Sequence, residues 1–145
     1  MPIRYAAALL ATLFCTAALA EVHEVKMLNR GAGGAMVYEP DYLAIATGDT
    51  VKFIATQPSH NAASVLGFLP DGAEPFKGRI NEEIEVKFDV PGFYGIQCIP
   101  HLAMGMVMLI QVGELPVGDV QIPTSLPARA RQRFEQIVER ASSAY

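Results

Sequence analysis

Between residues 22 and 112 apolar and polar side chains alternate in short runs, broken every few residues by glycine, proline, asparagine or aspartate. The clearest run sets Ile84, Val86, Phe88 and Val90 against Glu85, Lys87 and Asp89, which predicts a strand with one dry and one wet face. Residues 22–28, 36–38, 42–46 and 50–56 read as further strands, with Gly48-Asp49 as a hairpin turn between the last two. Pro91-Gly92 turns the chain into residues 93–98, where Tyr94, Ile96 and Cys98 share a face. Residues 106–112 are apolar throughout and predict a central strand. From 59 to 79 the pattern is irregular, a loop with at most one short helical turn. Many short strands separated by turns predict an all-β fold, a sandwich of two sheets.

The period changes near the C-terminus. Phe134, Ile137, Val138 and Ala141 fall at i, i+3, i+4 and i+7, the apolar stripe of an amphipathic helix. Ser125 is the expected N-cap, with Pro127 in the first turn. Arg129, Arg133 and Arg140 lie off the stripe and are expected to face water. At the other end, Arg4 precedes an apolar run over 6–18 and the small residues of Ala18-Leu19-Ala20, the layout of a secretory signal peptide. A run of roughly 13–14 apolar residues falls short of the ~20 that a membrane span needs. The chain therefore divides into a leader at 1–20, a sandwich at 21–113, and a linker with a packed helix at 114–145.

Charge and cysteine usage narrow the function. Without the leader the chain has ten basic and fifteen acidic side chains, a net charge of −5. Nucleic-acid binding calls for the opposite surplus. Cys15 belongs to the leader, which leaves Cys98 as the one thiol of an exported chain. An unpaired thiol in an oxidising compartment calls for an explanation.

Cys98-Ile99-Pro100-His101-Leu102-Ala103-Met104-Gly105-Met106 supplies one. Alone, Cys98 would be a small buried hydrophobe, His101 a surface imidazole, and Met104 and Met106 core. Core packing does not call for all three residue types in one short turn. Thiolate and thioether favour Cu(I), imidazole suits both copper states, and two imidazoles with a thiolate and a weak axial methionine define a blue-copper site. The second imidazole is expected from His60, in the loop Pro58-Ser59-His60-Asn61 just after a strand. His23 lies within the first strand and reads as an ordinary, partly exposed histidine. Spacing leaves Met104 and Met106 both open for the axial position.

With these residues in hand the chain resembles the cupredoxins, in particular those of the pseudoazurin kind. Ser59-His60-Asn61 is similar to that family's first ligand loop, and Cys98-x-x-His101-x-x-x-x-Met106 to its second. Met27-Leu28-Asn29, Gly48-Asp49-Thr50 and Ile80-Asn81-Glu82 match in kind. The resemblance implies a Greek-key β-sandwich with a C-terminal helical extension. It implies one type 1 copper ion held by His60, Cys98, His101 and Met106, with His101 towards the surface. It also implies a monomeric periplasmic electron carrier whose redox partners dock near His101, a copper nitrite reductase among them. Neither nucleic acid nor membrane is expected as a partner. Three departures stand out. Ile99 replaces the usual threonine and removes a hydroxyl contact to the first loop. Lys77 is the clearest remnant of a lysine ring. Pro116 and Pro123 interrupt the first of two tail helices.

Other functions fit less well. Cysteine nucleophilic catalysis with a histidine base would want an orienting carboxylate, and neither loop offers one. Copper storage or delivery is the alternative, yet it favours multiple exposed ligands over one closed set. A structural zinc site would not choose methionine. The Gly31-x-Gly33-Gly34 loop fails the dinucleotide pattern because Met36 holds the third glycine position.

Overall fold

The computed structural model describes residues 19–144. The leader expected at 1–20 therefore lies almost wholly outside the described residues. Two four-stranded sheets face each other. The first has the order β2-β1-β4-β6, from Gly34–Glu39, Val22–Gly31, Thr50–Ile54 and Ile84–Lys87. The second has the order β3-β8-β7-β5, from Tyr42–Ile45, Val107–Val112, Gly92–Gln97 and Ala63–Ser64. β1 runs parallel to β4 and β3 parallel to β8, while the remaining neighbours are antiparallel. The chain changes sheet at every connection but β1–β2 and β7–β8, the crossing pattern of a Greek-key sandwich.

Those crossings correct one expectation. Gly48-Asp49 does not close a hairpin, because β3 and β4 belong to different sheets. Turn residues specify that the chain reverses. They do not specify which sheet receives the next strand, and both strands here alternate well enough to pair elsewhere.

Alternation explains the main core. Val25, Met27, Val51 and Phe53 face inward from the first sheet, and Tyr94, Ile96, Met108 and Ile110 meet them from the second. β8 is buried along its whole length. Its even positions enter this core, while Val107 and Leu109 point the other way, towards a second cluster that includes Phe134 and Ile137. A strand covered on both faces has no wet side, hence the unbroken apolar run in the sequence.

The second cover is the helix α1 at Ala128–Ser142. It starts two residues later than Ser125 predicts. Pro127 occupies the cap and, having no polar side-chain atom, makes no bond to the first turn. Ala130, Phe134, Ile137 and Ala141 are buried and Val138 is half-buried. Arg140 is exposed, as expected, and pairs at the surface with Asp41 at 2.8 Å. The interrupted tail segment forms only a three-residue 3-10 turn at Val117–Asp119. Residues 59–79 hold β5 and no helix.

Phe68 links helix and sheet. Its ring meets that of Phe134 edge-on at 4.9 Å and presses against β7, where a Cβ on Gly95 would sit 2.3 Å from it. Phe134 is fully buried in this contact. Phe134→Ala is expected to destabilise the protein by about 3–5 kcal/mol in urea unfolding. A loss below about 1 kcal/mol, the range of ordinary surface substitutions, would show that the helix is only loosely attached.

Candidate metal centre

The first loop reaches its position under backbone strain. Ser59 has φ 79° and Asn81 φ 64°, both in the left-handed region that non-glycine residues avoid. The two hold each other there. Ser59 N–H donates to Asn81 Oδ1 at 2.6 Å, and Asn81 N–H to the His60 carbonyl at 2.8 Å. Strain of this kind, about 1–3 kcal/mol per residue, persists where the surroundings over-determine it. Here it turns the His60 ring inward, where it is fully buried.

The second loop is a tight clip. Cys98 caps a 3-10 helix at Ile99–Met104, and Pro100 starts it without needing an N–H partner. Gly105 ends it at φ 86°. A side chain there would be strained and would put Cβ 3.1 Å from the Arg129 carbonyl at the start of α1. Cys98 N–H donates to the Met106 carbonyl at 3.0 Å, and Met106 N–H to the His101 carbonyl at 3.2 Å. The positions of Cys98, His101 and Met106 are thus set by one closed unit.

Asn61 joins the two loops. Its Oδ1 accepts from Ile99 N–H at 2.8 Å, its Nδ2 donates to the Gly78 carbonyl at 3.0 Å, and its own carbonyl accepts from Tyr38 at 2.6 Å. The hydroxyl that Ile99 lacks is not needed for this connection, because the Ile99 backbone makes it.

Three donor atoms meet at the end of the sandwich. His60 Nδ1 lies 3.1 Å from His101 Nδ1 and 3.7 Å from Cys98 Sγ, and Sγ lies 3.4 Å from His101 Nδ1. The outer nitrogen of His60, Nε2, bonds Asn29 Oδ1 at 2.7 Å. An amide oxygen only accepts, so Nε2 carries the ring proton and Nδ1 turns a lone pair inward. Burial lowers the His60 pKa, and His101 beside it lowers it further, which keeps that lone pair available. Burial pushes the Cys98 thiol up, against backbone N–H bonds from Asn61 and His101 that pull it down.

This triangle fits a metal ion. The point equidistant from its corners lies about 2 Å from each, close to the 2.0–2.1 Å of a metal–nitrogen bond and a little under the ~2.3 Å of a metal–sulfur bond. No cationic side chain is bonded to any of the three donors among the described residues. His60, Cys98 and Met106 are fully buried, His101 is half-buried, and Met104 is 45% exposed. Burial thus separates two methionines that spacing left equal. The buried thiol is also poorly placed for attack on a substrate.

A β-sandwich with two imidazoles and a thiol converging beside a buried methionine defines a copper protein of the cupredoxin class. The model of the copper-binding plastocyanin/azurin family matches residues 25–113. The chain belongs to that family, whose members carry electrons on a blue copper ion, and within it to the pseudoazurins. It is 44% identical to the pseudoazurin of Paracoccus pantotrophus, over 90% of this chain and 89% of that one. A pseudoazurin structure from Sinorhizobium superposes with a TM-score of 0.79 at 41% identity, covering 86% of this chain and 99% of the other. One from Methylobacterium extorquens gives 0.76 at 36%, covering 83% and 98%.

Asn29 and Asn81 are supporting residues that sequence patterns do not single out as such. Asn29 ends an ordinary-looking strand segment, and only the packing of β1 against the His60 loop gives it a role. Groups that orient a ligand imidazole change metal affinity by about 10–100-fold when removed. Asn29→Ala is expected to weaken copper binding by that factor in competition with a chelator, with folding retained. An unchanged affinity would mean that the loop orients His60 unaided.

Proposed function

We propose that this chain is a monomeric, periplasmic one-electron shuttle in which His60, Cys98, His101 and Met106 hold a single copper ion. Its partner is a periplasmic reductase, with a copper nitrite reductase the leading candidate. The observation that carries this reading is the buried triangle of His60, Cys98 and His101 donors, followed at once in the chain by buried Met106. When bound, copper supplies a couple between Cu(I) and Cu(II) that accepts and returns one electron. The residues around it supply rigidity. Asn29, Asn61 and the Ser59–Asn81 clasp leave the donors little room to move, so both states meet nearly the same ligand positions. Full burial of three of the four side chains favours retaining the ion over handing it on.

His101 offers the way out. Its ring is half-buried, and Ile99 at 42% exposure and Met104 at 45% stand exposed in the same loop. Pro100 and Ala103 are exposed there as well. A partner can approach this apolar surface without stripping water from charges. Arg129 and Arg133 line a shallow cavity with Met104, and Lys77 lines another with Ile99 and Gln97. These cations form a positive rim on a chain of net negative charge, a distribution suited to steering towards an acidic partner. The leader expected at 1–20 supports export.

Two measurements test this reading. Met106→Leu should retain copper and shift the reduction potential, because the axial bond is weak, while Met104→Leu should leave the copper spectrum nearly unchanged. A larger spectral change in Met104→Leu would reassign the axial ligand. Electron-transfer rates to an acidic reductase should fall as ionic strength rises from about 0.01 to 0.15 M, over which the screening length contracts from about 30 to 8 Å. A rate independent of salt would mean that the apolar surface docks without help from the rim.

A further inference from the structure

The end of β1 opposite Asn29 carries a second polar cluster. Asp49 is only 5% exposed, yet no lysine or arginine pairs with it among the described residues. Its Oδ1 accepts from the backbone N–H of Glu21 at 2.9 Å. Its Oδ2 meets His23 Nε2 at 2.9 Å and accepts from Ala46 N–H at 3.1 Å. A carboxylate buried to this degree normally has a cationic partner. His23 serves as one only when it is protonated.

The atom on Oδ1 is the nitrogen of the residue expected to head the chain once the leader is removed. With Ala20 attached, that nitrogen is a neutral amide with one proton. Hydrolysis of the Ala20–Glu21 bond adds water across it. The oxygen goes to the new Ala20 carboxyl group, and the nitrogen takes up protons to become an α-ammonium, whose ordinary pKa is about 7.7–8.0. We propose that Asp49, assisted by His23, is a binding site for the chain's own α-ammonium at Glu21, formed when the leader is cut after Ala20. This rests on the cleavage site read from the sequence.

The surroundings fit that ligand. Glu21 is exposed, so protons not directed at Asp49 can reach water. The Glu21 carbonyl accepts from Thr50 N–H at 2.9 Å, so the residue is held at both its nitrogen and its oxygen. First residues usually fray unless something ties them down. Glu21 N–H is also the largest influence holding the Asp49 carboxyl below the usual aspartate range. The carboxylate of Glu21, His23 and Asp49 lie close enough to hold a cation, their ligand atoms all being within 4.8 Å of one another. Both oxygens of Asp49 are already engaged, however, so the cluster closes on the terminus itself. Processing then replaces a neutral donor on the carboxylate with a cationic one, so that a hydrogen bond becomes an ion pair, and no other contact need change.

The test compares copper-loaded protein that begins at Glu21 with protein that retains Leu19-Ala20, both at pH 7 and low salt. The shorter chain should melt about 3–5 °C higher. In the Asp49→Asn background the gap should close. If that variant does not fold, Nα-acetylation of the chain that begins at Glu21 should lower its Tm to that of the extended one. Equal melting temperatures, a gap that survives Asp49→Asn, or acetylation without effect would each overturn the ion pair. Mass analysis of the exported protein reports the terminus separately. A first residue other than Glu21 overturns the cleavage site, and with it the site's use, whatever the melting temperatures show.

Discussion

Two imidazole nitrogens and a sulfur that face one another in a dry pocket lack stable partners unless a cation sits among them. A protein left to minimise its own energy would turn at least one of them away, so something must hold them in place. The holding is distributed. Asn29 fixes the tautomer of His60, the opposed left-handed residues Ser59 and Asn81 set its loop, and the clip between Cys98 and Met106 fixes the other donors. Asn61 then prevents the two loops from separating. None of these groups carries the chemistry. A site held from so many sides would offer an oxidised and a reduced metal nearly the same ligand positions, which is what fast one-electron exchange requires.

The helix contributes to the same constraint from the other side. α1 covers β8, the strand that leaves the second ligand loop, and the Arg129 carbonyl sits directly against Gly105 at the loop's turn. A sandwich alone would leave Val107 and Leu109 in water and the outer side of the loop unsupported. The same helix carries Arg129 and Arg133 to the neighbourhood of Met104. One element therefore braces the metal loop and brings positive charge beside the surface a partner would meet.

The parts legible in the sequence are those written in one local stretch. Alternation in 84–90 and the unbroken run in 106–112 both report real burial patterns, and the helix stripe from Phe134 to Ala141 is periodic enough to read directly. Cys98, His101 and Met106 lie within nine residues, so residue type and spacing alone make their chemistry visible. His60 is reachable because few histidines compete with it. What stays hidden is relational. Gly48-Asp49 announces a turn but not that it crosses between sheets. Ile99 suggests a lost contact because the backbone N–H that joins it to Asn61 has no side-chain signature. Asn29, Asn81 and the buried setting of Asp49 depend on neighbours 22 to 31 residues away.

The proposed function depends on the three inward-facing donors and Met106 binding one copper ion through the Cys98 thiolate. The most direct measurement is the visible absorption spectrum of the oxidised protein as copper is added to one equivalent. An intense blue or green band from thiolate-to-Cu(II) charge transfer, saturating at one copper per chain, is the predicted result. A colourless protein holding one equivalent of Cu(II) would contradict it, because the metal would then lie away from the sulfur.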